Sequence, residues 1–184
     1  MPLEPLRVYM VDDNSADIEL VKMAFSEHGC DIPFVTAKNG DEALRYLRTL
    51  AADATTSRPG VVLLDLNMPR MGGIDVLTYI SLQPQLRSIP VVILTTSDSP
   101  RDRETCLKLG ANRYIVKSHS LDEFFASLKP VVEMLRPPPG GPPAQPPAAQ
   151  PPGAPPAAGE RPGRGQRISL LSSLLRLVAR QSSR

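Results

Sequence analysis

Residues Pro59–Gly73 read PGVVLLDLNMPRMGG, in which the apolar residues Val61–Leu64 and Leu66 enclose a single carboxylate, Asp65. A continuous apolar run, bounded by Pro-Gly before it and a Met-Pro-Arg-Met-Gly-Gly loop after it, describes a strand buried on both faces of a parallel sheet. The chain then opens into a loop, at the edge where open α/β sheets place their ligand sites. Taken alone, the carboxylate could instead cap the loop that follows it. The rest of the chain decides between the two.

Apolar runs and helical periodicities alternate along the sequence. Leu6–Val11 is a short apolar run that stops at Asp12-Asp13 and predicts a first strand. Asn14 and Ser15 are N-cap types, Ile18, Val21 and Phe25 share one helical face, and Gly29 ends that helix. A second strand is expected over Ile32–Ala37, weakened by Pro33. Asn39-Gly40 marks a turn, and Asp41 is placed to cap a helix carrying Ala43, Leu44 and Leu47.

Beyond the central strand, Ile74, Leu77 and Ile80 fit a helix that ends before Pro84. Pro90–Leu94 reads as a fourth strand that delivers Thr95-Thr96-Ser97 at its end. A short helix over Arg101–Leu109 is stopped by Gly110, and Arg113–Val116 forms a fifth strand ending at Lys117. The last helix runs from Leu121 to about Arg136, with Pro130 expected to bend or restart it. Strands alternating with helices in this way predict a doubly wound five-stranded parallel sheet with helices on both faces.

Of the 21 prolines, 12 lie between Pro137 and Pro162, which divides the chain. Residues 1–136 form the globular part, 137–165 a Pro-rich disordered linker, and 166–184 a basic amphipathic tail. The globular part carries 15 Lys and Arg against 18 Asp and Glu, whereas the remainder carries 6 Arg against Glu160 alone. In the tail, Ile168, Leu170, Leu171, Leu174, Leu175, Leu177 and Val178 fall on one half of a helical wheel. Such a helix is too short to span a membrane; it suits a partner protein, a second copy of the chain, or an anionic membrane surface. No helix-turn-helix and no catalytic output domain is visible, so direct DNA binding is not expected. Cys30 and Cys106 form no disulfide framework, and no secretory leader or long apolar run is present. The sequence reads as that of a cytoplasmic protein.

The right-handed crossovers of this fold bring all strand C-termini to one edge. That edge collects Asp12 and Asp13 from strand one, Asp65 from strand three, Thr95 from strand four and Lys117 from strand five. Three close carboxylates repel one another unless a cation sits among them. Mg²⁺ fits oxygen ligands of this kind and is commonly held by one or two carboxylates plus a phosphate. Lys117 adds a positive charge for a phosphoryl oxygen or for Asp65, and Thr95 adds a hydroxyl. An aspartate so placed can act as a nucleophile and take up a phosphoryl group.

The Asp12-Asp13 pair, Asp65 in LLDLNMPRMGG, Thr95 in VVILTTS and Lys117 in YIVKS together resemble the receiver domain of two-component response regulators, over about residues 5–136. The resemblance implies a flavodoxin-like fold, Asp65 as phospho-acceptor, and Asp13, Asp65 and the backbone carbonyl of Asn67 as metal ligands. It further implies that Asp12 reaches the ion through a water, that Thr95 and Lys117 bind the phosphoryl group, and that Tyr114 is the aromatic switch coupled to Thr95. The wording LLDLNMP and IPVVILTTS, the long Leu50–Pro59 connection and Lys117-Ser118 are similar to small response regulators served by phytochrome-type histidine kinases. Ser118 departs from the commoner proline after the lysine.

The function so implied is a single-domain, phospho-accepting signalling protein rather than a turnover enzyme. Its partners would be a histidine kinase and a downstream protein target, with a homodimer as one possible state. Two other classes compete. A phosphohydrolase with an aspartate nucleophile wants a second acid two positions on, where this chain has Asn67. A phosphate-independent interaction module would not need so complete a pocket. Asn67 and Ser97 also lie near the expected path of an attacking water, where they would tune dephosphorylation.

Overall fold

The structure, a computed structural model, describes residues 6–53 and 55–136. The strands are β1 (Val8–Val11), β2 (Phe34–Ala37), β3 (Val61–Leu64), β4 (Val91–Thr95) and β5 (Arg113–Val116). Between and after them lie α1 (Ser15–Glu27), α2 (Gly40–Ala52), α3 (Gly73–Leu82), α4 (Pro100–Lys108) and α5 (Leu121–Leu135). The strands form one parallel sheet in the order β2-β1-β3-β4-β5. This is the doubly wound arrangement expected from the strand–helix alternation, in the flavodoxin-like form that the resemblance implies. The linker and the amphipathic tail expected over 137–184 lie outside the described residues.

β3 is central, and all of its residues are buried, as its unbroken apolar run requires. Successive side chains of a strand point to opposite faces, so each strand feeds two cores. Val8, Met10, Val61, Leu63, Val92 and Leu94 pack with Ile18, Val21 and Phe25 of α1 and with Phe124, Leu128 and Val131 of α5. On the other parity, Tyr9, Val11, Val62, Leu64 and Ile93 are equally buried. There the Tyr9 hydroxyl donates to the Ala43 carbonyl of α2 at 3.4 Å, and α2 packs against α3.

The helix starts follow cap chemistry, with one correction. Asn14 caps α1 by accepting the Ala16 N–H, and Gly29 closes the helix with a left-handed φ of 67°. α2, however, is capped by Asn39 rather than by Asp41. Asn39 Oδ1 accepts the Glu42 N–H at 2.9 Å, while Glu42 reaches back to the Lys38 N–H at 2.8 Å. This variant of the capping box satisfies one orphan donor of the helix and the Lys38 N–H just before the cap, leaving Asp41 in the first turn as a favourable charge. Strand β2 begins two residues later than expected. Pro33 has no N–H to give the ladder and contributes only its carbonyl, which accepts from Val8 at 3.0 Å. α5 continues through Pro130 without restarting.

Candidate functional site

The ladder runs one residue past the strand ends and aligns the site. The Asp12 N–H donates to the Ala37 carbonyl at 3.0 Å, Asp65 to Val11 at 2.9 Å, and Lys117 to Thr95 at 2.8 Å. Asp12, Asp65 and Lys117 are therefore fixed by sheet hydrogen bonds on one edge. Thr95, the last residue of β4, stands opposite Val116 and is fully buried. The loop after β3 then folds tightly back. Arg70 adopts a left-handed φ of 67°, rare for a residue with a Cβ, and the Gly73 N–H donates to the Leu66 carbonyl at 3.1 Å.

Carboxylate oxygens of Asp12, Asp13 and Asp65 lie within 4.8 Å of one another. Asp12 is 1% exposed and Asp65 6%, whereas Asp13 is at the surface. Asp65 Oδ1 is buried and has no hydrogen-bond partner. An orphaned buried carboxylate oxygen beside two further carboxylates is the donor set of a hard cation, so the residues present fit a divalent metal ion.

Lys117 faces this cluster with only 9% of its side chain exposed. The sequence left open whether its ammonium serves Asp65; it hydrogen-bonds elsewhere. Nζ donates to Asp12 Oδ2 at 2.8 Å and to Asp17 Oδ2 at 2.6 Å, and stands 3.9 Å from Asp65 Oδ2. Burial pushes the Asp12 carboxyl above its ordinary value, despite the hydrogen bond and charge of Lys117. Burial pulls the other way on Lys117, but its bonds to Asp12 and Asp17 outweigh this and hold the ammonium above its ordinary value. One lysine does not neutralise the carboxylates around it.

Thr95 and Tyr114 form the second half of the site. The Asn67 amide donates to Thr95 Oγ1 at 3.3 Å and to Thr96 Oγ1 at 3.1 Å, and the Ser97 N–H donates to Thr95 Oγ1 at 3.3 Å. Tyr114 is buried, and its hydroxyl donates to the Ser97 carbonyl at 3.0 Å. Every residue expected at the sheet edge is thus brought there, and Tyr114 is tied to the loop that follows Thr95.

Residues 8–129 match the response regulator receiver domain. The chain belongs to that family. The receiver is 34% identical to response regulator Rcp1 of Synechocystis sp. over 121 residues, 66% of this chain and 82% of the relative. The solved structure of the phosphorylated cyanobacterial phytochrome response regulator RcpA superposes with a TM-score of 0.63 at 39% identity, covering 70% of this chain and 92% of that one. The Mn²⁺-bound form of Rcp1 gives a TM-score of 0.62 at 32% identity, covering 69% and 91%. The acidic pocket of this receiver fits Mg²⁺ and phosphorylation. Among the described residues no helix is long and apolar enough to cross a membrane.

Two residues of the receiver's site escaped the sequence reading. Asp17 lies in the first turn of α1, whose N-terminus faces the same edge as Asp12, and it gives Lys117 the shorter of its two hydrogen bonds. Arg103 of α4 lies over the Tyr114 ring, 4.7 Å from its centroid, and donates to the Tyr114 carbonyl at 3.4 Å. The signal for Asp17 was its spacing: five residues after Asp12, one turn into the following helix. Nothing in the sequence singled out Arg103 among the charges of α4. Ser118, in the place of the commoner proline, donates its hydroxyl to Glu123 at 2.6 Å and accepts the Ser120 N–H at 3.1 Å. These bonds tie the Lys117 loop to the start of α5.

Proposed function

We propose that this receiver accepts a phosphoryl group on Asp65 from a phosphohistidine of a histidine kinase, and passes the signal on by protein contact. The observation that carries the reading is Asp65 itself: a buried carboxylate with one oxygen orphaned, at the mouth of the sheet. Asp65 attacks phosphorus in line, the phosphorus–nitrogen bond to the histidine breaks, and a phosphorus–oxygen bond to the carboxylate forms. In this reading Asp13, Asp65 and the Asn67 carbonyl hold Mg²⁺, with Asp12 standing behind them. When bound, the ion supplies charge neutralisation to the phosphoryl oxygens.

Thr95 is equipped to bind the product. Its two contacts from Asn67 and Ser97 use the lone pairs of Oγ1, so the hydroxyl proton is spent on neither. Lys117 gives a charged donor to the same group. Since Tyr114 is bonded to Ser97, two residues beyond Thr95, a shift of Thr95 toward the phosphoryl group is transmitted to the α4–β5 side. Asn67 favours this reading over a phosphohydrolase, because an amide that donates to two threonines is no general acid. The likeness to RcpA and Rcp1 supports a phytochrome-type kinase as donor. The contact that carries the signal onward is assigned to the α4–β5 side or to the tail.

The test is incorporation of phosphate from a small-molecule phosphodonor into the full chain, with and without Mg²⁺. Base-labile incorporation that needs Mg²⁺ and vanishes in Asp65→Asn is expected. Label that persists in Asp65→Asn would place the acceptor elsewhere.

A further inference from the structure

Lys117 faces three carboxylates and hydrogen-bonds only two of them. An ammonium carries three N–H groups. Two are spent on Asp12 at 2.8 Å and Asp17 at 2.6 Å, while Asp65 at 3.9 Å is within ion-pair range but beyond a hydrogen bond. The two partners differ in kind. Asp12 is fixed: it follows β1 directly, is 1% exposed, and accepts the Asn14 N–H with its other oxygen at 2.9 Å. Asp17 sits on the helix side of the site with 23% of its side chain exposed. A partly exposed carboxylate can be released to water at modest cost.

We propose that Asp17 is a positioning residue for Lys117, holding its ammonium off the Asp65 carboxylate until a phosphoryl group arrives and then releasing it to a phosphoryl oxygen. The inference rests on the reading of Asp65 as phospho-acceptor. An ammonium bonded directly to Asp65 would draw charge from the nucleophile and compete with a cation for its oxygens. Asp17 prevents both by offering a closer acceptor, at 2.6 Å from Nζ against 3.9 Å for the reacting carboxylate. A phosphoryl group brings nearly two negative charges and three acceptor oxygens, enough to outcompete one partly hydrated carboxylate. Asp17 thus keeps the lysine near the chemistry without allowing it to block the nucleophile.

Asp17→Asn keeps the size of the side chain and removes its charge. Two readouts on the full chain are expected to move: Mg²⁺ affinity of the unphosphorylated protein, by titration calorimetry, and the phosphorylation rate constant from phosphoramidate at saturating Mg²⁺. Each is expected to fall about tenfold, the size of one charge-assisted hydrogen bond. Asp17→Glu is expected to restore most of both. In a Lys117→Met background, Asp17→Asn should change Mg²⁺ affinity by no more than about twofold, the residue of a screened charge, because the effect runs through the lysine. Wild-type values in Asp17→Asn, or an equal tenfold loss in the Lys117→Met background, would overturn the proposal. If the wild-type chain takes up no phosphate, the acceptor reading fails by itself. The Mg²⁺ affinity cycle uses no phosphodonor and still decides whether Asp17 controls Lys117.

Discussion

A Cβ placed on Gly73 would lie 2.1 Å from the carbonyl oxygen of Asp65, a backbone atom that cannot swing aside. By helix propensity alone, alanine at this first position of α3 would gain about 1 kcal/mol over glycine. The clash is larger. Gly73→Ala is expected to lose about 2–3 kcal/mol, read as a lower urea midpoint, because the backbone carrying the acceptor must shift. Phosphorylation of the variant should slow with it, and an unchanged or raised midpoint would show that the loop yields. The contrast with the acids is instructive. Asp12, Asp13, Asp65, Thr95 and Lys117 were legible because each stands where an apolar strand run stops, and parallel topology alone brings such residues together. Asp17 was not, since an acid in a helix's first turn already has a sufficient local explanation. Its bond to Lys117 joins residues 100 apart in sequence, and the choice of Asp12 and Asp17 over Asp65 is made by ångström-scale geometry.

At the level of elements, local chemistry predicted the cap of α1 but misplaced that of α2, because Asn39 and Asp41 are both competent types. The box closed by Glu42 separates them, and it depends on a spacing of three that starts at Asn39. Pro130 was expected to bend α5 or restart it, and the helix runs through the proline without restarting. Tertiary packing explains the continuity: Phe124, Leu128, Val131, Val132 and Leu135 on both sides of the proline are buried against the sheet. The cost of the missing N–H and of the crowded carbonyl one turn earlier is then borne by that packing rather than relieved by a break. Pro130→Ala should therefore stabilise the domain by about 1–2 kcal/mol, the restored helix bond outweighing the lost rigidity of the unfolded chain and some ring contact. Urea unfolding checks this, and a lower midpoint would mean that the ring itself is a packing element of α5.

For the molecule as a whole, strand–helix alternation was sufficient to read the parallel sheet and its functional edge, because right-handed crossovers leave few alternatives. The same economy sets where the domain ends. Among the described residues, the buried apolar side chains run from Val8 to Leu135, and the last long-range tie is the Arg136 guanidinium donating to the His28 carbonyl. Truncation after Arg136 removes none of these groups, so the unfolding temperature is expected to stay within about 2 °C of the full chain, less than the shift produced by 1 kcal/mol. The phosphorylation rate from a small donor should likewise be unchanged, since every group argued to act in it precedes that residue. What does change is charge: the full chain is formally +2, whereas residues 1–136 hold 15 basic against 18 acidic side chains. Association with acidic surfaces, measured against ionic strength, should accordingly weaken on truncation while folding and phosphorylation do not. If the shortened chain instead unfolds without cooperativity, residues beyond 136 belong to the folding unit, and the boundary drawn from the proline-rich composition is in the wrong place.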